Sequence, residues 1–198
     1  MARGGAVGAI RGHTVELRPV EESDAPFIHR WMNQPEIWRY MDYERQYSLA
    51  DVLEDIEAAR GSGQPLTILV DGRPIGRVGL NQFRDRDRIC SLYLYIGEPE
   101  CWGRGYARDA VMTLLAFAFD RWDLHQVELW TLSDNDRAIP MYRRCGFVEE
   151  ATLRDRSFKE GRWVGHTVMS VNRDEFATAR ATWDADAPGI VTQDSQAT

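Results

Sequence analysis

The chain has 198 residues, 43% of them hydrophobic and 28% charged, with a formal net charge of −7 at pH 7. That length suits a single domain with a substantial core, and no apolar run approaches the ~20 residues needed to cross a bilayer. The acidic balance argues against general nucleic-acid binding, which needs a basic surface, and mildly favours a cationic substrate.

The three cysteines, Cys90, Cys101 and Cys145, are an odd number without a close pair. They suit reduced thiols better than a disulfide frame or a zinc site, so no metal is expected. The opening "MARGGAVGAIRGH" lacks the continuous apolar core of a signal peptide, and a cytoplasmic location is expected. Residues 1–12 read as a flexible N-terminus, and 177–198 as a C-terminal extension, partly disordered, whose small polar tail begins near Asp184.

Taken in order, "TVELRPV" alternates like a strand, and "SDAPFIHRWMNQP" reads as a capped helix stopped by Pro35. "SLADVLEDIEAAR" has a serine cap and apolar positions at helical spacing (Leu49, Val52, Leu53, Ile56), ending at Gly61. "PLTILVDGRPIGRVGLNQF" holds two β-rich runs around Asp71-Gly72, a hairpin turn signal. "RICSLYLYIGEP" adds a strand, and a long apolar helix runs from about Gly105 to Trp122. "QVELWTL" follows as a strand and "NDRAIPMYRRC" as a helix. "GFVEEATLRDRSF" and "RWVGHTVMSV" finish as strands joined through Glu160-Gly161. The order β-α-α-β-β-β-α-β-α-β-β predicts an α/β fold with a mixed sheet: antiparallel meander strands and at least one βαβ crossover.

The chemistry centres on "YIGEPECWGRGYARDA", which is a strand, a turn, a glycine-bracketed loop and a helix entry. Such a loop leaves main-chain N–H groups free at a helix N-terminus, where the dipole also favours negative charge, so it predicts a phosphate-bearing ligand. No Lys-Ser/Thr follows the glycines, and the dinucleotide pattern G-x-G-x-x-G fails at Arg108, which argues against nucleotide hydrolysis and NAD chemistry. Taken alone, the same stretch also fits a glycine-rich turn without a ligand.

Further on, "TLSDNDRAIPMYRRCGFVEE" sets Asn135 seven residues before Tyr142, with Gly146-Phe147 opening the next strand. With these residues the sequence resembles the GNAT superfamily of acyl-CoA N-acyltransferases, and within it the branch of RimJ/RimL-type ribosomal-protein and spermidine N-acetyltransferases. The likeness covers roughly 13–172, within a domain placed at 13–176. The family's loop pattern is Gln/Arg-x-x-Gly-x-Gly/Ala. "WGRGYA" matches it at Gly105 and Ala107 and departs at Trp102, a replacement that branch tolerates.

The resemblance implies a central, mostly antiparallel twisted sheet of about seven strands flanked by about four helices, with splayed strands holding the cofactor. It implies acetyl-CoA as co-substrate. Gly103, Arg104, Gly105, Tyr106 and Ala107 would cradle the pyrophosphate through their amides, beside Trp102. Tyr95, Ile96 and Gly97 would pair with the pantetheine arm as an added strand does. Asn135 would bond the pantetheine end, and Tyr142 would protonate the departing thiolate after direct attack by a neutral amine. On the residues alone Tyr142 also fits a core aromatic.

The general base is left open among Glu98, Glu100, Glu128 and His166, with a water-relayed path as an alternative; Ser91 stands where the family often has a carboxylate. The acceptor segment is expected at 34–47, where Trp38, Tyr40, Tyr43 and Tyr47 line a site or pack under the helices, and Glu36, Asp42 or Glu44 attract a cation. Gly165 stands where relatives frequently carry an Asp. The expected acceptor is a peptide or protein N-terminal α-amine, then a small amine such as a polyamine or amino-bearing antibiotic, with a non-catalytic acyl-CoA-binding module as a third reading. Expected partners are coenzyme A and the amine, without nucleic acid or membrane; a homodimer is left open.

Overall fold

The structure, a computed structural model, describes residues 8–41 and 45–186. Eight strands form one sheet: β1 (Ile10–Arg11), β2 (Glu16–Pro19), β3 (Gly63–Val70), β4 (Arg73–Arg84), β5 (Ile89–Ile96), β6 (Gln126–Leu132), β7 (Val148–Lys159) and β8 (Arg162–Asn172). Their spatial order is β1-β2-β3-β4-β5-β6-β8-β7, and every neighbouring pair is antiparallel except β5 with β6. Six helices accompany them: α1 (Ala25–Met32), α2 (Pro35–Trp38), α3 (Leu49–Ser62), α4 (Tyr106–Arg121), α5 (Ala138–Arg144) and α6 (Arg173–Ala185). Among the described residues no helix is long and apolar enough to cross a membrane.

The hairpin signals correspond to left-handed turns. Asp71 and Gly72 have φ of 49° and 76°, and Glu160 and Gly161 have 50° and 80°, the two-residue geometry that matches strand twist. Ser48 caps α3 with a reciprocal box: its Oγ accepts from Asp51 N at 3.2 Å, while the Asp51 carboxylate accepts from Ser48 N at 2.7 Å.

Three elements differ from expectation. Pro35 does not merely stop a helix but sits in the first turn of α2, where its missing N–H costs nothing. β1 lies in the segment expected to be flexible and pairs Ile10 with Leu17. Helix α6 runs through residues assigned to the C-terminal extension. Asn172 caps it, accepting from the N–H groups of Asp174 and Glu175, and Phe176 and Trp183 are buried.

The sheet's two faces are built differently. On one, Val15, Leu17, Leu66, Ile68, Val78, Leu80, Cys90, Leu92, Val127, Leu129 and Met169 pack against α4, α5 and α6. Helix α4 is buried nearly all round (Ala110, Val111, Met112, Leu114, Leu115, Ala118, Phe119), as a crossover helix between sheet and flanking helices must be. On the other face α1 and α3 form a second core with Ile28, Trp31, Met32, Val52 and Ile56, but only over β2–β5. Among the described residues the β6–β8–β7 half of that face lacks such cover, and Trp130 is 53% exposed.

Candidate active site

The parallel pair β5/β6 is in register for only three residues, Ile89 with Gln126, Cys90 with Val127 and Ser91 with Glu128. Beyond Ser91 the strands part. Main-chain direction along β5 follows from antiparallel pairing with β4, because Gly97 N–H donates to Ile75 O at 2.8 Å. Gly97 and, two residues back, Tyr95 therefore turn their main chain toward β4, and Ile96 and Leu94 turn theirs into the opening. Of the expected Tyr95, Ile96 and Gly97, only Ile96 faces the opening; Leu94, not singled out from sequence, joins it. Gly97 has another reason to be glycine, since a Cβ there would stand 2.2 Å from the Trp31 ring.

The glycine loop follows directly. Trp102 tucks under it, donating its indole N–H to Ile96 O at 2.9 Å, with the Arg137 guanidinium 4.9 Å from the ring centroid. This tie occupies the Ile96 carbonyl and leaves its N–H. Gly103 and Gly105 hold φ of 72° and 87°, and nothing lies within 4 Å of where a Cβ would be at either. They are glycines for backbone conformation, not for crowding. The first intrahelical bond of α4 is Asp109 N to Gly105 O at 3.0 Å, so the N–H groups of Tyr106, Ala107 and Arg108 have no intrahelical partner. Arg104 is exposed beside them.

Tyr142 is 6% exposed and packs edge-on to Phe147 at 5.6 Å, within the cluster that holds Leu92 and Ile96 and against which Trp102, Tyr106 and Ala107 rest. Burial, with the nearby Cys145 thiol adding to it, pushes its phenol above its ordinary value, so the group stays protonated. Gly146 ends α5 at φ 92°, and a Cβ there would meet Glu175 O at 2.9 Å. Asn135 turns its side chain inward: Oδ1 accepts from Ala138 N at 3.1 Å and Nδ2 donates to Thr131 Oγ1 at 3.2 Å.

The candidate bases are nearly all occupied. Glu98, 4% exposed, is held by the Arg30 guanidinium, by Trp31 Nε1 at 2.9 Å and by Arg73 at 3.2 Å. Glu100 accepts from Arg73 at 3.0 Å; its own backbone N–H and that guanidinium keep its carboxyl below the ordinary value. Glu128 sits where the strands part, its Oε1 accepting from Ser91 Oγ at 3.3 Å and its Oε2 from Arg84 at 2.9 Å. His166 shares a hydrogen bond of 2.8 Å between Nε2 and Ser157 Oγ and stands edge-on to Trp130 at 6.3 Å.

A cleft of about 830 Å³ opens between α2 and the β7–β8 hairpin. Trp38 and Arg39 form one wall, Arg156, Phe158, Lys159 and Trp163 the other, and His166 lines its inner part. His166 pairs with Leu132, the last residue of β6, so the cleft borders the opened end of that strand. Of the expected acceptor residues Trp38 lines this cleft. Glu36 is exposed and lies outside the lining, Tyr47 packs against the second core, and the Arg39 guanidinium lies 5.5 Å from the Tyr40 ring. Asp42, Tyr43 and Glu44 lie outside the described residues. An Asp side chain does not fit at Gly165 without rearrangement, because its Cβ would meet Leu153 O at 2.8 Å and Ser133 Oγ at 3.1 Å.

One hub was missed from sequence. Asp109, in the first turn of α4 and 5% exposed, accepts from the N–H groups of His13 (3.0 Å), Thr14 (2.6 Å) and Val15 (3.0 Å). It also accepts from Thr14 Oγ1 (2.8 Å) and Trp183 Nε1 (3.2 Å). The carboxylate ties both ends of the described chain to the helix that carries the glycine loop, and His13 stacks on Trp183 at 3.9 Å. The only signal in the sequence is an acidic residue in a helix's first turn.

Residues 14–148 match the model of the acetyltransferase (GNAT) domain. The chain is 30% identical to spermidine N(1)-acetyltransferase of Vibrio cholerae over 164 residues, covering 81% of this chain and 94% of the relative. To the Escherichia coli K12 protein of the same name it is 27% identical, covering 86% and 92%. The crystal structure of the V. cholerae spermidine N-acetyltransferase with CoA and spermine superposes with a TM-score of 0.75 at 27% identity, over 83% of this chain and 98% of the other. The RimL ribosomal L7/L12 alpha-N-protein acetyltransferase in complex with coenzyme A shares the fold, with a TM-score of 0.76 at 18% identity over 84% and 99%. The parted strands, the glycine loop on α4 and these matches agree: the chain belongs to the GNAT family and is an acyl-CoA-dependent acetyltransferase that takes acetyl-CoA as co-substrate.

Proposed function

We propose that the enzyme acetylates a primary amine by direct attack, and that the amine is a peptide or protein N-terminal α-amine. The observation that carries this choice is the state of the candidate bases: Glu98, Glu100 and Glu128 each already hold an arginine. With pKa values of roughly 7.7–8.0, about a tenth of α-amines is neutral near pH 7, whereas an alkyl amine near 10.4 is neutral to only a few parts in ten thousand. A site whose carboxylates are paired suits the amine that needs little help.

Acetyl-CoA supplies an activated thioester, and the loop fits its pyrophosphate: two left-handed glycines with open space beside them lead into free helix N–H groups. The amides of Gly103, Arg104, Gly105, Tyr106 and Ala107, with Arg104 at the rim, hold that group. The main chains of Ile96 and Leu94 align the pantetheine arm along β5. Tyr142 donates its proton to the departing thiolate. Asn135 reaches the pantetheine end once it releases Thr131, its other bond holding the start of α5.

The likeness to spermidine N(1)-acetyltransferases favours a second reading, a polyamine acceptor. Incubation with acetyl-CoA and separate pools of peptides, polyamines and aminoglycosides, followed by mass spectrometry, tests both. Acetylation at peptide N-termini is the expected result; product from the polyamine pool alone would replace the first reading with the second.

A further inference from the structure

The cleft between α2 and the β7–β8 hairpin presents an arginine, Arg156, that no described carboxylate pairs. Among the described residues its lining has Arg39, Arg156, Lys159, whose Nζ already donates to Met41 O at 2.6 Å, and one acid, Glu160. That acid lies 4.0 Å from Arg39 and offsets it. Arg156 is exposed and makes no ion pair with any described residue.

Arg156 occupies a built feature. Between Leu153 and Ser157, β7 takes four steps where its partner takes two, from His166 to Val164, so two extra residues bulge from the ladder. Asp155, inside the bulge, is held at φ 55°, an uncommon conformation for a residue other than glycine. Bulges re-aim side chains, and strained backbone concentrates at functional sites. Beside it Phe158 and Trp163 form an edge-on pair at 5.4 Å, yet are 61% and 62% exposed. Large aromatics left in water beside an unpaired arginine are typical of recognition surfaces.

Resting on the α-amine reading, we infer that this cleft selects acceptor peptides that carry acidic residues just after their N-terminus. The carboxylates meet Arg156 and the rim of Arg39, and the chain behind the amine lies over Phe158 and Trp163. A second copy seated symmetrically through this hairpin would bring a second Arg156 to the same patch. An acidic peptide is the better complement.

The test uses three peptides with identical first two residues and Glu-Asp, Gln-Asn or Lys-Lys at positions three and four. Each is assayed for kcat/KM with acetyl-CoA at low and high salt, with spermidine alongside. The wild type should prefer the acidic peptide over the neutral one by about three- to tenfold, as for one or two partly exposed charge pairs, and the lysine peptide should be poorest. Added salt should shrink the preference. Arg156→Glu should abolish or reverse the ratio, and Arg39→Gln should reduce it; a ratio within one protein is blind to a general loss of activity.

Equal use of the three peptides overturns the inference and leaves the α-amine reading intact. No peptide product with spermidine turned over overturns the α-amine reading and the inference with it. Equal use together with concentration-dependent dimerisation that Trp163→Ser abolishes gives the surface to a second copy and overturns the inference.

Discussion

Replacing Asp109 tests whether one buried carboxylate fastens the ends of the fold to the helix of the glycine loop. Its Oδ1 accepts from His13 N and Trp183 Nε1, and its Oδ2 from Thr14 N, Thr14 Oγ1 and Val15 N. Two of the five donors, Val15 N and Trp183 Nε1, are in fully buried bonds. Charged hydrogen bonds contribute about 1.5–3 kcal/mol each. Asp109→Ala leaves both buried donors unsatisfied, while those near His13 and Thr14 can reach water, so the loss should be about 4 kcal/mol. Asp109→Asn keeps one acceptor oxygen but turns an NH₂ toward two N–H donors, for a loss of about 2 kcal/mol. The assay is urea unfolding followed by circular dichroism, with KM for acetyl-CoA as second readout. Stability should fall in the order wild type, Asn, Ala, and KM should rise in the same order as the start of α4 loosens. Both variants within about 0.5 kcal/mol of wild type, the range of ordinary surface changes, would refute the hub.

Further expectations concern the loop, the acid and pH. Gly105→Ala places a side chain at φ 87° in open space, so it should cost about 1 kcal/mol of backbone strain and raise KM for acetyl-CoA while kcat changes little. Unchanged KM would detach the loop from the cofactor. Tyr142→Phe should keep CoA binding by calorimetry and lower turnover tenfold or more, as loss of a general acid does; full turnover would remove that role. The phenols of Tyr93, pushed up to about 12 by burial, and of Tyr142, raised in the same direction, bind their protons more tightly folded than unfolded. Their contribution is therefore fully present below about pH 10, the unfolded value, and is lost as pH climbs toward 12. Urea midpoints should be steady from pH 8 to 9.5 and fall beyond pH 10; a midpoint that rises there would contradict the burial of both hydroxyls.

The architecture was legible where local rules act alone. Asp71-Gly72, Glu160-Gly161 and the Ser48 cap follow from the short-range geometry of a turn or a helix end, and the structure has them. What escaped depends on residues far apart in sequence. α6 is polar overall and shows its purpose only when Phe176 and Trp183 meet the main core. Which main-chain groups of β5 face the opening depends on the register with β4, which sequence does not display. The overall charge of −7 suggested a cationic substrate, yet a β7 bulge presents Arg156 to the cleft. Net charge is a sum over the surface, whereas selection is made by the few groups beside the reacting amine.

The most direct test of the central claim is a competition in one vessel: acetyl-CoA, the enzyme, an N-terminal peptide with acidic third and fourth residues, and spermidine at equal concentration, with products identified by mass spectrometry. The account predicts acetyl on the peptide's α-amine as the dominant product. Acetylspermidine as the dominant product, with the peptide unmodified, would contradict it.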